Sequence, residues 1–439
     1  MNDQIPNRLI YHKKILYQMK REYLSRVIDE ELDLTLQSSG AVLIEGPKWC
    51  GKTRTAEERA ASVLYLQDTR KRKYYLHMLE ADPNALLDGE KPRLIDEWQD
   101  APILWDGIRF IIDQGREWGQ FILTGSAVPN DKDRPMHSGT GRISRIYMRP
   151  MSLFESLESN GSVSLESLFN GDDIKGASQL TINDLAFALA RGGWPASIGE
   201  EESIALRHSQ NYLKSITDSD LSRVDGVKRD PVRIRKLLHS LARNVSTEAK
   251  LTTLQKDVSG DAENIISMPT IMSYMNALER TFVIEDLPAW SPSMRSKTVL
   301  RSSPKRHFVD PSIAAAAIRA TPERLIEDFE TFGLLFESLC IRDLRVYAQA
   351  LDGRVFHYRD SDGLEVDAII ELSDGRWGAA EIKMGAEIEK GVKNLIKFKE
   401  KVDTDKMGEP SFMMILTAME DAYRRKDGVY TVPIGCLRN

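Results

Sequence analysis

The sequence has few cysteines and no long apolar run, and both shortages exclude classes of protein. Its 439 residues include three cysteines, Cys50, Cys340 and Cys436, which lie far apart and form no CxxC pair. This spacing argues against a zinc knuckle and against a disulfide framework. No apolar segment approaches the roughly 20 residues that a membrane helix needs. The polar, basic start lacks the apolar core of a signal peptide, so we expect a cytoplasmic protein with no membrane partner.

The overall charge gives no sign of a nucleic-acid partner, because the net charge is −6. Two segments differ from this average: residues 223–244 and 291–307 are basic, and the second contains no acidic residue. Charge runs are most often solvated faces. Two of them flanking one part of the chain nevertheless keep DNA open as a partner. The length predicts two or three domains.

A phosphate-binding loop is the strongest motif in the sequence. Residues 46–53 read GPKWCGKT and fit GxxxxGK[ST], in which backbone N–H groups surround the phosphates and glycines permit left-handed turns. The pattern assigns Lys52 to the β- and γ-phosphates and the Thr53 hydroxyl to Mg²⁺. The apolar run before the loop predicts a buried parallel strand, and the segment after it predicts a helix. The candidate nucleotide-binding residues are Gly46, Pro47, Lys48, Trp49, Cys50, Gly51, Lys52, Thr53 and Arg54.

Two later segments supply candidate catalytic groups. KPRLIDEWQD predicts a short strand ending at Asp96 and Glu97. In P-loop ATPases such an aspartate orders the Mg²⁺ shell, and an adjacent glutamate polarises the attacking water. GQFILTGSA predicts a strand with Thr124 at its tip, where a polar group holds the water or senses the γ-phosphate. Arg142 and Arg145 are candidates for the positive charge that phosphoryl transfer needs, in the same or a neighbouring subunit.

The order of these motifs resembles that of prokaryotic AAA-type ATPases that carry a C-terminal domain of unassigned function. The matching strings are GPKWCGKT, LIDEWQD, FILTGSA, GRISRIYMRPMSLFE and RGGWPASI. The resemblance spans roughly residues 38–385 and departs from the family at Lys48, where an arginine is usual. It implies an α/β fold: a P-loop NTPase parallel sheet with a helical lid, a winged-helix middle part and a smaller restriction-endonuclease-like α/β domain at the C-terminus.

The predicted organisation has five segments. These are an N-terminal helical segment, a P-loop ATPase core, a helical lid or connector, a winged-helix-like part and a restriction-endonuclease-like domain, at residues 1–37, 38–156, 157–230, 231–305 and 306–439.

The winged-helix-like part has three predicted helices. Ser246 or Thr247 is the expected cap of the second. The third starts near Pro269 and would expose Thr270, Ser273, Tyr274 or Asn276 to a major groove. Helix-turn-helix variants also bind proteins, so DNA and a protein partner both stay open.

Three ionisable residues near the C-terminus reproduce the D…ExK pattern of PD-(D/E)xK nucleases. Asp367 lies in one predicted hairpin strand, and Glu381 and Lys383 project from one face of the next. Two such carboxylates can hold Mg²⁺ while the lysine steadies a hydroxide or the phosphate. Glu337, on the long helix predicted before the strands, could complete the metal shell. The same residues also suit a nuclease fold without catalysis, in which the carboxylates only pair with Lys383.

The sequence therefore predicts a Mg²⁺-dependent ATPase that binds ATP and ADP and controls a C-terminal DNA-handling module. The alternative is an ATP-gated protein-interaction switch with an inactive nuclease-like domain, and a third reading has both centres active. An oligomer is compatible with each. The candidate catalytic residues are Lys52, Glu97, Thr124, Arg142, Asp367, Glu381 and Lys383, and the candidate metal ligands are Thr53, Asp96, Glu337, Asp367 and Glu381. His307 and His357 are expected to be packing residues.

Overall fold

The computed structural model describes residues 22–115, 117–127, 139–221, 226–259, 265–292, 303–385 and 387–439. The chain divides into two compact units, one of residues 1–150, 219–228 and 276–283 and one of residues 151–218, 229–275 and 284–439. Most of the predicted N-terminal helical segment and most of the basic segment 291–307 lie outside the described residues. As domains, the five predicted segments stay predictions.

The first unit is built on a five-stranded parallel sheet. Its strands are β1 (Ala41–Glu45), β2 (Ser62–Tyr65), β3 (Arg93–Asp96), β4 (Phe121–Gly125) and β5 (Ile143–Tyr147). Their order is β2-β3-β4-β1-β5, and every neighbouring pair is parallel. Parallel sheets are covered on both faces, which explains why the central strands β1 and β4 are nearly continuous apolar runs. The predicted parallel α/β sheet is confirmed.

Helices pack on both faces of this sheet. They are α1 (Asp29–Ser38), α2 (Lys52–Glu57), α3 (Arg72–Ala81) and α4 (Ile103–Gly115). Successive side chains of a strand point to opposite faces. Phe121 accordingly packs with Trp105 in one core cluster, while Ile122 packs with Leu32 in another. The two cores fix the sheet between its helical layers.

The second part of the chain contributes most of the helices. They are α5 (Leu165–Asn170), α6 (Ile182–Arg191), α7 (Glu202–Ser215), α8 (Pro231–Arg243), α9 (Leu251–Ser259), α10 (Met268–Arg280), α11 (Pro311–Ile318), α12 (Pro322–Glu327), α13 (Phe329–Ala350), α14 (Ile388–Lys401) and α15 (Thr404–Met407). No helix among the described residues is long and apolar enough to cross a membrane.

Capping side chains explain where several of these helices begin. Thr181 and Asp184 form a capping box at the start of α6. Asp310 caps α11, accepting a hydrogen bond from the Ser312 N–H. The predicted cap of α9 is wrong, because that helix begins at Leu251. The Ser246 hydroxyl instead donates a 2.8 Å hydrogen bond to the backbone of α13.

A seven-stranded mixed sheet forms the core of the second unit. Its strands are β7 (Gly176–Ala177), β8 (Gly353–Arg359), β9 (Glu365–Leu372), β10 (Trp377–Lys383), β11 (Phe412–Thr417), β12 (Asp421–Arg424) and β13 (Tyr430–Pro433), in the order β7-β12-β13-β11-β10-β9-β8. The strands β8, β9 and β10 form an antiparallel meander, and β11 then pairs parallel to β10 after α14. The two strands predicted to carry Asp367, Glu381 and Lys383 are therefore confirmed as β9 and β10.

Short strands from the middle of the chain also join this unit. β6 (Val163–Ser164) pairs in parallel with β14 (Leu437–Arg438), and β7 pairs with β12 at one edge of the large sheet. The segment predicted as a helical connector, 157–230, thus contributes strands as well as helices to the second unit.

Candidate functional site

The loop between β1 and α2 has a backbone that only small residues permit at two positions. Gly51 has φ 104°, in the left-handed region that favours glycine. A Cβ atom on Gly46 would lie 2.1 Å from the backbone oxygen of Met148. Cys50 is fully buried beneath the loop, and its Sγ lies 3.4 Å from the same oxygen. The spacing of glycines in GPKWCGKT therefore follows from the close packing of this loop.

Lys52 lies inside the loop, as its place in the motif predicts. Its Nζ donates hydrogen bonds to the backbone oxygens of Gly46 at 2.9 Å and Pro47 at 2.7 Å. The buried ammonium is thus held where loop N–H groups would surround a phosphate. Arg54, unlike Lys52, does not turn into the loop. Its guanidinium forms an ion pair of 2.6 Å with Glu58 on the surface of α2.

The tips of β3 and β4 meet the start of α2 at the carboxyl edge of the sheet. The hydroxyl of Thr53 donates a 2.7 Å hydrogen bond to Asp96 Oδ1, and the hydroxyl of Thr124 donates another of 2.7 Å to the same atom. The Glu97 N–H donates to Thr124 Oγ1 at 3.0 Å. Burial raises the pKa of Asp96, and the two threonine hydrogen bonds oppose that shift. The four predicted residues are brought together.

Glu97 is oriented by two side chains to which the sequence analysis assigned no role. The Ser126 hydroxyl donates a 2.8 Å hydrogen bond to Glu97 Oε2, and the Gln99 amide donates to the same oxygen. Glu97 itself has φ 56°, a left-handed conformation that is unusual for a residue with a side chain. Both partners lie within the motif strings LIDEWQD and FILTGSA, so the signal was present in the sequence.

Arg142 is not brought to the loop of its own chain. The Ala41 N–H donates to the Arg142 backbone oxygen, which places Arg142 at the amino edge of the sheet. Four residues of strand, about 13 Å, separate that edge from the loop. The Arg142 side chain pairs with Asp113 at 2.6 Å, whereas Arg145 pairs with Glu45, the last residue of β1, also at 2.6 Å. A role for either arginine in a neighbouring subunit stays a prediction.

The segment before α1 holds the phosphate loop from outside. Arg26 donates hydrogen bonds of 2.8 Å to the backbone oxygens of Cys50 and Arg149. The Tyr23 hydroxyl lies 3.0 Å from Thr55 Oγ1 on α2 and donates a 2.6 Å hydrogen bond to Asp29. Sequence reasoning missed these contacts, because no motif marks a residue that supports a loop 24 positions later.

A second group of charged residues lies in the second unit. Lys383 Nζ lies 3.0 Å from Asp367 Oδ2 and 2.7 Å from Glu381 Oε2. Lys305, which the sequence analysis missed, lies 2.8 Å from Glu337 Oε1 and 3.4 Å from Asp367 Oδ1. The helix α13 and the strands β9 and β10 thus bring together the four predicted residues. Lys305 joins them as a fifth, so the group contains the carboxylates of Glu337, Asp367 and Glu381 and the ammonium groups of Lys305 and Lys383. We call these five residues the carboxylate–lysine cluster.

Hydrogen bonds to the backbone and to a neighbouring amide complete the cluster. The Ile382 N–H donates to Asp367 Oδ2 at 2.9 Å, and the Asn394 amide lies 3.5 Å from Glu381 Oε1. Pairing of Ala380 with Ala368 sets the register, so the next residues along, Glu381 and Asp367, lie beside each other. The predicted placement of the two carboxylates on adjacent strands is confirmed.

Burial and the two lysines act in opposite directions on the three acids. Burial raises the pKa of Glu337 and that of Glu381 to about 7 each, although the adjacent lysines oppose the shift. Burial also favours a raised pKa for Asp367, but Lys305 and Lys383 hold it below its usual value. Asp367 is therefore the member that keeps its negative charge most firmly.

Two histidines close to the cluster are buried, as expected for packing residues. Burial lowers the pKa of His307 well below its usual value, and that of His357 to about 4. His307 Nδ1 lies 3.1 Å from the Ser338 hydroxyl, and His357 Nε2 lies 3.2 Å from the Ser303 backbone oxygen. Both rings are neutral at pH 7.

The two sites differ in how well they suit a metal ion. Thr53 and Asp96 present a hydroxyl and a carboxylate side by side at the loop, which are the donors that Mg²⁺ takes in P-loop proteins. In the carboxylate–lysine cluster, ammonium groups already lie between the carboxylates. Across the described ranges, no group of three or more Asp, Glu, His or Cys side chains is arranged to hold a metal ion.

The four residues of α10 that were predicted to face DNA differ in their exposure to solvent. Tyr274 is buried, with its hydroxyl 3.3 Å from the Asp230 N–H, so its predicted exposure is wrong. The buried face of an amphipathic helix is where an aromatic ring at this position belongs. Ser273 lies 3.2 Å from the Arg229 guanidinium, Thr270 bonds Ser267, and Asn276 is exposed.

A basic cavity of about 660 Å³ lies beside α8 in the second unit. Its cationic side chains are Arg235, Lys236, Arg243 and Arg319, and Asp257 is its acidic one. Leu238 and the small residues at the end of α11 form the apolar part of its wall. The cavity gives the predicted basic segment 223–244 a concave surface.

A five-stranded parallel sheet in this order, with a GxxxxGKT loop after β1 and an acidic tip on β3, defines a P-loop nucleotide-binding domain. Comparison with protein families agrees. Residues 38–157 match the model of an AAA domain, so this part of the chain is an AAA-type P-loop domain, which suggests ATP binding and hydrolysis. Residues 182–324 and 332–437 match two domains of unknown function, DUF8612 and DUF4143.

Relatives span most of the chain. The chain is 24% identical over 352 residues to "Uncharacterized protein Rv2008c" of Mycobacterium tuberculosis and to "Uncharacterized protein Mb2031c" of Mycobacterium bovis. Each alignment covers 78% of this chain and 70% of the relative. Among solved structures, the Walker-type ATPase PABY2304 of Pyrococcus abyssi aligns over 66% of this chain and 94% of that one, at 15% identity and a TM-score of 0.40.

Proposed function

We propose that the protein is a Mg²⁺-dependent ATPase whose nucleotide cycle controls the C-terminal part of the chain. The observation that carries the proposal is the convergence of Lys52, Thr53, Asp96 and Glu97 at one sheet edge. Lys52 is held by the loop backbone, and Thr53, Thr124, Asp96 and Glu97 are joined by hydrogen bonds. A phosphate-binding lysine, a metal-binding pair and a water-activating carboxylate are the groups that phosphoryl transfer to water requires.

Each group has a distinct task in this proposal. Lys52 binds the β- and γ-phosphates, and Thr53 and Asp96 hold the magnesium ion, which neutralises phosphate charge when bound. Glu97 orients the attacking water and accepts its proton. Ser126 and Gln99 keep the Glu97 carboxylate in one orientation.

The test is ATP turnover in variants of the loop and of the acidic strand tip. Lys52→Ala should lower turnover at least about 100-fold, because phosphate contacts are lost. Glu97→Gln should still bind ATP but should hydrolyse it slowly. Lys73→Ala, at an exposed lysine of α3, is the matched control and should behave as wild type. Unchanged turnover in Lys52→Ala would refute the assignment.

For the C-terminal part we propose a nuclease-like, DNA-handling module. Its support is the element order α13-β8-β9-β10-α14-β11, with Asp367 and Glu381 on adjacent strands and Lys383 two residues further on. Plasmid DNA incubated with Mg²⁺ or Mn²⁺ tests it. Any cleavage by the wild type should disappear in Asp367→Ala and Lys383→Ala and persist in Asp374→Ala, an exposed aspartate of the β9–β10 turn. Cleavage that survives the first two changes would exclude this centre.

The alternative, an ATP-gated protein-interaction switch, is favoured by the pairing of the cluster's three carboxylates with Lys305 and Lys383. Paired carboxylates are less available to a metal than free ones. This function predicts no cleavage but a change in the affinity for a partner between the ATP and ADP states. Equal affinities in the two states, measured with Glu97→Gln to hold the ATP state, would count against it.

A further inference from the structure

We propose that Lys305 is the built-in counter-ion of the carboxylate–lysine cluster and that its ammonium takes the place a divalent cation would fill. The inference rests on the proposed relation to metal-dependent nucleases, because that relation is what makes a cation expected there. It deepens the proposal by stating how the site is kept closed to metal.

The position of Lys305 is fixed by its backbone as well as by its charge. Lys305 and Leu287 exchange two antiparallel hydrogen bonds, of 2.8 Å and 3.0 Å, which hold the main chain against its neighbour. The side chain is 7% exposed and ends between Glu337 and Asp367, at 2.8 Å and 3.4 Å. An ammonium buried to this extent would lose both of its charged partners if it moved away, so it stays with the carboxylates.

The oxygens of Asp367 are already engaged. Oδ1 faces Lys305, and Oδ2 accepts from Lys383 at 3.0 Å and from the Ile382 N–H at 2.9 Å. A magnesium ion requires oxygen ligands at about 2.0–2.1 Å in octahedral geometry. Oδ2 already accepts two hydrogen bonds, and an ion bound to Oδ1 would lie beside the Lys305 ammonium.

The charges of the cluster also disfavour a bound metal ion. Two ammonium groups face three carboxylates, so the formal charge of the cluster without a metal ion is only −1. A divalent cation placed among them would be repelled by both lysines in a poorly hydrated space. The cluster as it stands therefore does not fit Mg²⁺, and removal of the Lys305 charge should open it.

The test measures Mn²⁺ binding to the full chain by calorimetry, without nucleotide and without reference to activity. Wild type should show no binding tighter than about 1 mM that depends on Asp367. Lys305→Met should bind Mn²⁺ at least roughly tenfold more tightly, with a rise in Tm on adding Mn²⁺. The double variant Lys305→Met with Asp367→Asn should lose that gain. Lys91→Met, which removes an exposed lysine of the first unit, should gain nothing.

A second variant covers the case in which Lys305→Met does not fold. Lys305→Gln removes the charge and keeps a hydrogen-bond donor towards Glu337. If folded Lys305→Met or Lys305→Gln gains no Mn²⁺ binding, the proposal is overturned. It is also overturned if wild type binds Mn²⁺ below about 1 mM and Asp367→Asn abolishes that binding, a comparison that needs no change at Lys305. Because no nucleotide is present, failure here leaves the ATPase proposal untouched, and failure of Lys52→Ala leaves this one untouched.

Discussion

The Ser126 hydroxyl donates a 2.8 Å hydrogen bond to Oε2 of Glu97, joining the tip of β4 to the residue that follows β3. Gln99 donates to the same oxygen and lies 3.4 Å from Ser126 Oγ. The carboxylate proposed to activate water is thus held from two directions. Both donors bind Oε2, so Oε1 is the oxygen that we expect to face the attacking water.

We expect the double variant Ser126→Ala with Gln99→Ala to lower kcat for ATP by roughly tenfold to a hundredfold, because a loosely held base spends less time in the reactive orientation. The KM for ATP should change little, since the hydrogen bonds of both side chains go to Glu97 and to each other. Steady-state kinetics measures both quantities. A rise in KM with an unchanged kcat would show that these residues act in nucleotide binding instead.

Arg26→Ala should destabilise the first unit by about 3 kcal/mol, because the backbone oxygens of Cys50 and Arg149 would lose a buried charged donor. It should also weaken ATP binding, since Cys50 lies within the phosphate loop. Thermal unfolding with and without ATP reports both effects. Arg70→Ala, at an exposed arginine before α3, is the control and should leave both unchanged.

The neutral, buried His357 should make the second unit sensitive to acid. Its pKa is lowered to about 4 in the folded protein, against about 6.5 for an unfolded histidine. Between these values the unfolded chain binds the extra proton, so the free energy of unfolding falls as the pH drops from about 6.5 towards 4. The slope from this residue is at most about 1.4 kcal/mol per pH unit.

His357→Gln removes that contribution, so the difference between wild type and variant isolates it from the opposite trend of Glu337 and Glu381. Urea unfolding at pH 7.5 and 4.5 should show wild type losing about 2–3 kcal/mol more than the variant over this interval. Parallel pH profiles would mean that the ring is protonated in the folded state.

Charge reversal in the basic cavity should distinguish a DNA partner from a protein partner. If the C-terminal part contacts DNA through α8, Lys236→Glu with Arg243→Glu should weaken binding of a short duplex and reduce its dependence on salt. Arg233→Glu, on the same helix but outside the cavity lining, is the matched control. Equal losses in both variants would indicate a general charge effect, and no loss in either would favour a protein partner.

Local patterns predicted the parts of this protein that depend on neighbouring residues. The loop 46–53 and the tips at Asp96 and Thr124 follow from short apolar strands that end in polar residues. The position of Asp367 beside Glu381 follows from two strands joined by a short turn, which pair as antiparallel neighbours. Lys305 escaped prediction because its partners are 32 and 62 positions away.

Tyr274 is a residue whose predicted exposure was wrong. Its spacing on α10 was compatible with two helix faces, and only the packing against the residues before α8 decides that the ring is buried. The sequence alone does not reveal this contact, because it depends on how two helices distant in the chain pack against each other.

The pairings of β6 with β14 and of β7 with β12 have a practical consequence for anyone who dissects this protein. A fragment cut to the matched segment 332–437 would lack β6 and β7, and the outer edge of β12 would be left without its hydrogen-bonding neighbour. Unpaired sheet edges recruit other chains. Expression designs that begin near residue 151 retain both short strands and should give monodisperse material where the shorter fragment aggregates.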